Sequence, residues 1–311
     1  MKTRDIHIII NPAAGNGKAN LVATRLMKRL GSYSESLIIL SHTAARDEAT
    51  GITRRALKNG AGLIVAVGGD GTINEVVNGF FNGREPLNPE CELGIINCGT
   101  GGGYAKTLNL PGSLEDQISL ILRPHSLMLD VGHISFMDPD GRKSSRLFVN
   151  ECQVGIGSTV AAKTGKRVKK LGGTLAFGIT AAIQAVLFRP MTINLQFDNE
   201  SASDFRLIGL VAGNGVECAG GMRLTPDARL NDGLFDVLSI HEMNVLNRLI
   251  SFPKIYSGQH INGKEFSLKK CRSLRIRSDI SITLEADGEI IGSSPFDLEM
   301  IPSAIRVKAD F

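Results

Sequence analysis

The sequence predicts an α/β domain, a parallel sheet with helices on both faces, followed by a β-rich domain. Three observations predict it. Short apolar runs alternate with helical spacings over the first third of the chain. Those runs are continuous rather than alternating, as in strands covered on both faces. From about residue 126 the texture changes to strands joined by loops or hairpins.

The elements follow in order. "IHIII" is a β-branched strand, after which Val22, Leu26 and Leu30 recur at helical spacing. "SLIIL" is the second strand, and Ala49, Ile52, Ala56 and Leu57 mark one side of the next helix. "LIVAV" with Ile73, Val76, Val77 and Phe80 repeats the cycle, and "LGIIN" begins a fourth. Right-handed crossovers place all the strand-to-helix loops on one edge of such a sheet. The second part reads as strands in "SLMLDVGHIS", "SRLFVNECQVGIG", "MTINLQFD", "RLIGLVAGNG", "LFDVLSI", "SLRIRSD", "SITLEADGEII" and "AIRVKAD". Helical stretches lie near 160–188 and 243–257. This reads as a β-sandwich.

Composition narrows the function classes. A chain of 311 residues fits one large or two ordinary domains. A net charge of +4, no tryptophan and 5% aromatics argue against nucleic acid as a partner. Five cysteines form no CxxC and leave one over, which suits a reducing compartment. The first apolar run stops at Asn11-Pro12, too short for a signal peptide, and no run approaches the roughly 18 apolar residues of a membrane span. A cytoplasmic protein is expected, with contact to a membrane surface left open.

Three loops on the shared edge are rich in glycine: "NPAAGNGK", "GGDGT" and "NCGTGGG". Glycine lets backbone approach a ligand, and a helix N-terminus presents unpaired N–H groups to phosphate. No loop is a Walker A or GxGxxG motif. Their convergence points to a phosphate-bearing ligand. Asp70 within GGDGT either caps a helix or sits beside phosphate across a cation such as Mg²⁺. In "TLEADGEII", Asp-Gly between alternating residues is a hairpin signal. If the strand instead continues, Asp287 and Glu289 lie on one face, roughly 7 Å apart. "LNDGL" reads as a turn. "KTGKRVKK", Lys163 to Lys170, carries five positive charges before an apolar stretch. It is either a solvated turn or a docking site for an anionic leaflet. No calcium loop, GxSxG signature or histidine metal spacing is present.

GGDGT followed by "INEVVNG", with "NPAAG", "GTG", "LDVG", "FVNECQVGIGSTV", "GNGVECAGGMRLTPDARLNDGLFDV" and "ADGE", resembles the catalytic domain of diacylglycerol, sphingosine and ceramide kinases. It is especially similar to the bacterial soluble lipid kinases. GGDGT alone also fits NAD kinases. The resemblance implies an ATP-binding α/β domain over 1–128, a lipid-substrate sandwich over 129–296, and an active site in the cleft between them, with 297–311 returning to the first. ATP is then held by Asn11, Pro12 and Gly15, by Thr43, by Gly68, Gly69, Asp70, Gly71, Thr72 and Asn74, and by Gly99 and Thr100. Asp232, with the carbonyls of Arg229 and Leu234, matches a Mg²⁺ site, linked to Asp70 and Asp130 in an acidic network. Asp287 and Glu289 match the catalytic carboxylates, and the resemblance favours the continuing strand; which of the two is the base is left open.

The implied function is ATP- and Mg²⁺-dependent phosphoryl transfer to a lipid hydroxyl, diacylglycerol by default, at a membrane surface. The alternatives are an NAD kinase-like enzyme and a non-catalytic nucleotide or lipid sensor, and a homodimer is left open. One departure is visible. The family reads Gly-Thr-x-Asn-Asp-Phe where this chain has Gly99-Thr100-Gly101-Gly102-Gly103-Tyr104. Backbone N–H groups survive that change, whereas side-chain contacts to an acceptor headgroup do not.

Overall fold

The structure, a computed structural model, describes residues 5–32, 36–99, 101–164, 173–218 and 220–310. The chain divides into two compact units, Met1–Val131 with Ile301–Phe311, and Gly132–Met300.

In the first unit, β1 (Ile6–Ile10), α1 (Ala19–Gly31), β2 (Ile38–His42), α2 (Glu48–Lys58), β3 (Leu63–Gly68), α3 (Asp70–Phe80) and β4 (Glu92–Asn97) alternate. They are followed by α4 (Gly103–Thr107) and α5 (Leu114–Leu122). β1 pairs in parallel with β2 and β3, and β3 with β4. Alternate residues explain the continuous apolar runs. Ile8, Ile10, Val65 and Val67 pack against Ala23, Leu26 and Leu30 of α1 and Ile118 of α5. Ile9, Ile64 and Ala66, pointing to the other face, are equally sealed. Each such large side chain contributes about 1.5–3 kcal/mol of burial.

The second unit is antiparallel. It contains the end of β5 (Leu127–Met137), β6 (Lys143–Phe148), β7 (Glu151–Gly155), α6 (Ile156–Lys163), α7 (Gly173–Leu187), β8 (Met191–Phe197), β9 (Ser203–Gly213) and β10 (Phe235–His241). α8 (Val245–Ser251), β11 (Phe266–Cys271), β12 (Ser273–Arg277), β13 (Thr283–Ala286) and β14 (Glu289–Val307) complete it. The sequence boundaries at 128/129 and 296/297 fall inside β5 and β14. At the end of β14, Arg306 and Val307 pair in parallel with Glu92 and Leu93.

Two apolar clusters hold this unit. Phe148, Ile193, Phe235, Leu274, Leu284 and Phe296 form one, with the Phe148 and Phe235 rings stacked at 5.6 Å. Ile208, Val211, Met222, Leu224, Leu238 and Ile240 form the second. β11 is a strand the sequence reading left out. Its "FSLKKC" has two lysines, and it ends the run of paired strands, where charged residues discourage further pairing.

One further expectation is corrected. The strand does not continue through Asp287. Ala286 pairs with Glu289, so Asp287 and Gly288, at φ 45° and 86°, form a two-residue hairpin turn between β13 and β14. The long helical stretch near 160–188 is α6 and α7, with most of the basic segment, from residue 165, outside the described residues.

Candidate active site

In the first unit the glycine-rich loops meet at the carboxyl edge of the parallel strands. Gly15 lies where an added Cβ would stand 2.8 Å from the Cys98 carbonyl oxygen, so the β1 loop touches the β4 loop. A Cβ on Gly99 would stand 2.7 Å from the Cα of Gly69, which joins the β3 and β4 loops backbone to backbone. The Cys98 N–H donates to the Gly68 carbonyl at 2.8 Å. Much of the glycine excess is therefore demanded by loop-to-loop contact.

Asp70 is the side-chain tie of this edge. It opens α3, but its carboxylate accepts the N–H groups of Gly103 and Tyr104, at 3.1 and 3.2 Å, at the start of α4. It caps the neighbouring helix rather than its own. Gly102, at φ 57°, takes the left-handed conformation that turns the chain into α4. The two glycines that replace the family's Asn-Asp pair, Gly102 and Gly103, thus include a residue that this turn requires.

Asn11 donates from Nδ2 to Thr72 Oγ1 at 3.2 Å and accepts the Ala13 N–H at 3.0 Å. Pro12 stands between them in sequence, half-buried. Thr43 is buried, with its N–H on the Ile10 carbonyl. Thr72 and Asn74 are also buried, whereas Gly71 is half-buried. Thr100 lies outside the described residues. Asp130 is sealed and accepts the Ser303 N–H at 2.7 Å.

In the second unit the Asp287–Gly288 turn is anchored by long-range bonds. The Asp287 carboxylate accepts three backbone N–H groups, from Val149 at 2.8 Å, Asn150 at 2.9 Å and Glu151 at 3.1 Å. Asn214 donates to the Val149 carbonyl, and Asn150 donates to that of Glu217. "FVNE", "GNGVE" and "ADGE" are therefore one buried polar knot. Glu289 is ion-paired with Arg146 at 3.1 Å, both largely covered.

Glu285 received no role from the sequence. It is 1% exposed, directly opposite Gln153 across the β7–β13 pair, and accepts the Gly288 N–H. Burial pushes its carboxyl up to about 7; Gln153 and the Gly288 N–H oppose the shift, and the charges of Asp287 and Glu289 add to it. Its signal was a charged residue between core residues Leu284 and Ala286 in an alternating strand. Gln153 also lines an apolar cavity of about 80 Å³ with Ile156, Val160, Leu210, Met222 and Phe252.

The implied Mg²⁺ site does not fit its residues. Asp232 Oδ2 is 2.8 Å from Lys270 Nζ, which lies 3.0 Å from Asp236 Oδ2. The other carboxylate oxygen, Asp232 Oδ1, accepts the Leu234 N–H at 3.2 Å. An ammonium ion and a hydrated divalent cation cannot share these carboxylate oxygens at such distances. Among the described residues no group of three or more His, Cys, Asp or Glu is placed to hold a metal. Asp70, Asp130 and Asp232 each have protein partners of their own.

Comparison with known proteins matches two family models in succession along the chain. Residues 5–134 match the diacylglycerol kinase catalytic domain, and residues 151–309 match the YegS C-terminal NAD kinase beta sandwich-like domain. A diacylglycerol kinase of Staphylococcus haemolyticus is 29% identical over 302 residues, spanning 96% of this chain and 86% of that one. That of Staphylococcus carnosus is 26% identical over 300 residues, 96% and 93% of the two chains. The crystal structure of a diacylglycerol kinase from Bacillus anthracis superposes with a TM-score of 0.73 at 18% identity, covering 100% of this chain and 98% of the other. An NAD kinase from Archaeoglobus fulgidus in complex with ATP does so at 0.51 and 15%, covering 97% and 92%. At these structural identities the likeness is one of fold.

Proposed function

Because the chain belongs to the diacylglycerol kinase catalytic-domain family, and with it to the lipid kinases, we propose that it transfers the γ-phosphoryl group of ATP, taken up as its Mg²⁺ complex, to the hydroxyl of a diacylglycerol-like lipid. The observation that carries this reading is the meeting of the β1, β3 and β4 loops on one sheet edge, tied by Asp70. Asn11, Pro12, Gly15, Thr43, Gly68 to Thr72, Asn74, Gly99 and Thr100 are the assigned nucleotide contacts. Backbone N–H groups there suit phosphate oxygens and need no reorganisation as charge develops in the transition state.

Acceptor activation is assigned to the Asp287–Glu289 turn. Asp287 is fixed in direction by its three N–H partners, and Glu289 by Arg146. A carboxylate so oriented can take the proton of an attacking hydroxyl, typically a 10²–10⁴-fold contribution (roughly) to rate.

A lipid acceptor requires an approach to the bilayer, and we assign that to α7 and α8. No helix among the described residues is long and apolar enough to cross a membrane. α7 packs on α8, and Arg248 donates to the carbonyls of Ala185 and Phe188 at the end of α7. The small residues Ala181 and Ala185 face inward, while Ile179, Ile183, Leu187, Leu246, Leu249 and Ile250 are exposed. Residues 152–197 contain six Lys or Arg and no acid, and residues 243–264 contain three and no acid. An exposed apolar patch on chain segments whose charged residues are all basic suits an anionic lipid surface. Leu246→Ser with Ile250→Ser is expected to weaken co-sedimentation with phosphatidylglycerol-containing vesicles; undiminished sedimentation would remove the assignment.

The reaction is tested by transfer of labelled phosphate from ATP to a total lipid extract in mixed micelles, with NAD as a parallel acceptor. Label in lipid that disappears in Glu289→Gln, while ATP binding persists, is the expected result. Label in NAD alone would move the enzyme to a soluble acceptor. ATP binding without transfer to either would make the chain a sensor.

A further inference from the structure

We propose that the ammonium group of Lys270 is a built-in replacement for a divalent cation, bracing the 229–234 loop against the sheet so that the second unit folds without metal. The inference concerns folding and stands independently of the acceptor assigned above.

Backbone register puts the three groups together. In the antiparallel pair of β10 and β11, Asp236 lies directly opposite Lys270, so both side chains leave the same face. Asp236 is 3% exposed, so its carboxylate is largely shielded from water. Asp232 arrives from the preceding loop, where Gly233 at φ 74° turns the chain and the Leu234 N–H holds the second carboxylate oxygen. Lys270 Nζ lies between the two carboxylates, at 2.8 and 3.0 Å. One flexible side chain thereby joins a mobile type of element, a turn, to a buried strand position.

The geometry is that of a cation bridge made by protein. Mg²⁺ takes oxygen ligands at about 2.0–2.1 Å in an octahedron, and an ammonium ion within the same pair of carboxylates leaves no room for it without a strong like-charge repulsion. Removing the lysine charge leaves two facing carboxylates, one of them buried, with no counterion from this residue. That arrangement destabilises the loop unless another cation enters.

The nucleotide-free chain is melted in chelator and again in millimolar MgCl₂, as wild type, Lys270→Met and Lys270→Arg. The expected result is a wild-type melting temperature that does not respond to chelator or Mg²⁺, a lower one for Lys270→Met, and near wild-type behaviour for Lys270→Arg. Spin-resonance titration with Mn²⁺ reads occupancy directly: no ion bound tightly to the wild type is expected. A wild-type chain that melts earlier in chelator and recovers with Mg²⁺, or that binds Mn²⁺ tightly without nucleotide, would overturn the proposal. So would Lys270→Met melting with the wild type. Should Lys270→Met fail to fold, the wild-type and Lys270→Arg measurements still decide.

Discussion

The carboxyl edge of the first unit and the Asp287 turn of the second are both built from short glycine- and acid-containing motifs, but different forces hold them. In the first unit the β1, β3 and β4 loops are fitted to one another by steric contact between backbones, Gly69 on Gly99 and Gly15 on Cys98, and the Asp70 carboxylate adds a tie only to the start of α4. In the second, a carboxylate draws in the amides of a segment far away in sequence, Asp287 on Val149 to Glu151. A motif held by sterics tolerates a change of charge and no change of shape. One held by hydrogen bonds to a carboxylate has the opposite tolerance.

The largest stability effect is expected at Asp287. Asp287→Ala strands three buried N–H donors at once, and a loss of roughly 3–5 kcal/mol follows from the cost of unpaired buried groups. Urea denaturation measures it. A loss below about 1 kcal/mol would mean that water satisfies the knot and that Asp287 is placed for chemistry alone. Asp287→Asn, which keeps the shape, separates the two roles: it is expected to recover part of the stability and none of the turnover.

Gly99→Ala comes next. Its methyl would meet the Cα of Gly69 at 2.7 Å, and backbone cannot swing aside as a side chain does. A loss of about 1–3 kcal/mol is expected, with weaker ATP binding because the β3 and β4 loops must part. Gly101→Ala, whose methyl would come no nearer than 3.4 Å to Asp70 Oδ2, is expected to leave stability within about 0.5 kcal/mol. Equal losses for the two would break the steric account of this edge.

These two regions also differ in how far the sequence disclosed them. The strands, helices and loop convergence of the first unit follow from local pattern, because a parallel sheet covered on both faces writes itself as apolar runs and helical spacings. The Asp70 contact does not, since its partners at Gly103 and Tyr104 belong to the next loop. In the second unit Asp-Gly signalled the hairpin correctly from residue chemistry alone, and the continuing strand favoured by resemblance was overridden by the left-handed backbone at Asp287. Glu285, Arg146 and Lys270 went unassigned for one reason. Glu285 and Lys270 act through partners directly opposite on strands distant in sequence, and Arg146 through Glu289 on another strand again, pairings that no single strand's pattern discloses.

Glu285 gives the sharpest test of the contrast, with an effect confined to the upper pH range. The folded chain holds a proton there up to about pH 7, against 4.5 for an ordinary glutamate. Between those values the native state binds more protons than the unfolded one. The stability this group contributes is therefore fully present below pH 4.5 and is lost as pH rises through 7. Glu285→Gln keeps the shape and never ionises, so it should match the wild type near pH 5. Near pH 8 it should exceed the wild type by on the order of 1–3 kcal/mol. Urea melts at the two pH values read the difference directly. Gly99→Ala, where no charge is involved, should cost the same at both. If the difference between Glu285→Gln and the wild type is the same at both pH values while that of Gly99→Ala changes, the assignment of electrostatic control to the second unit and steric control to the first is reversed.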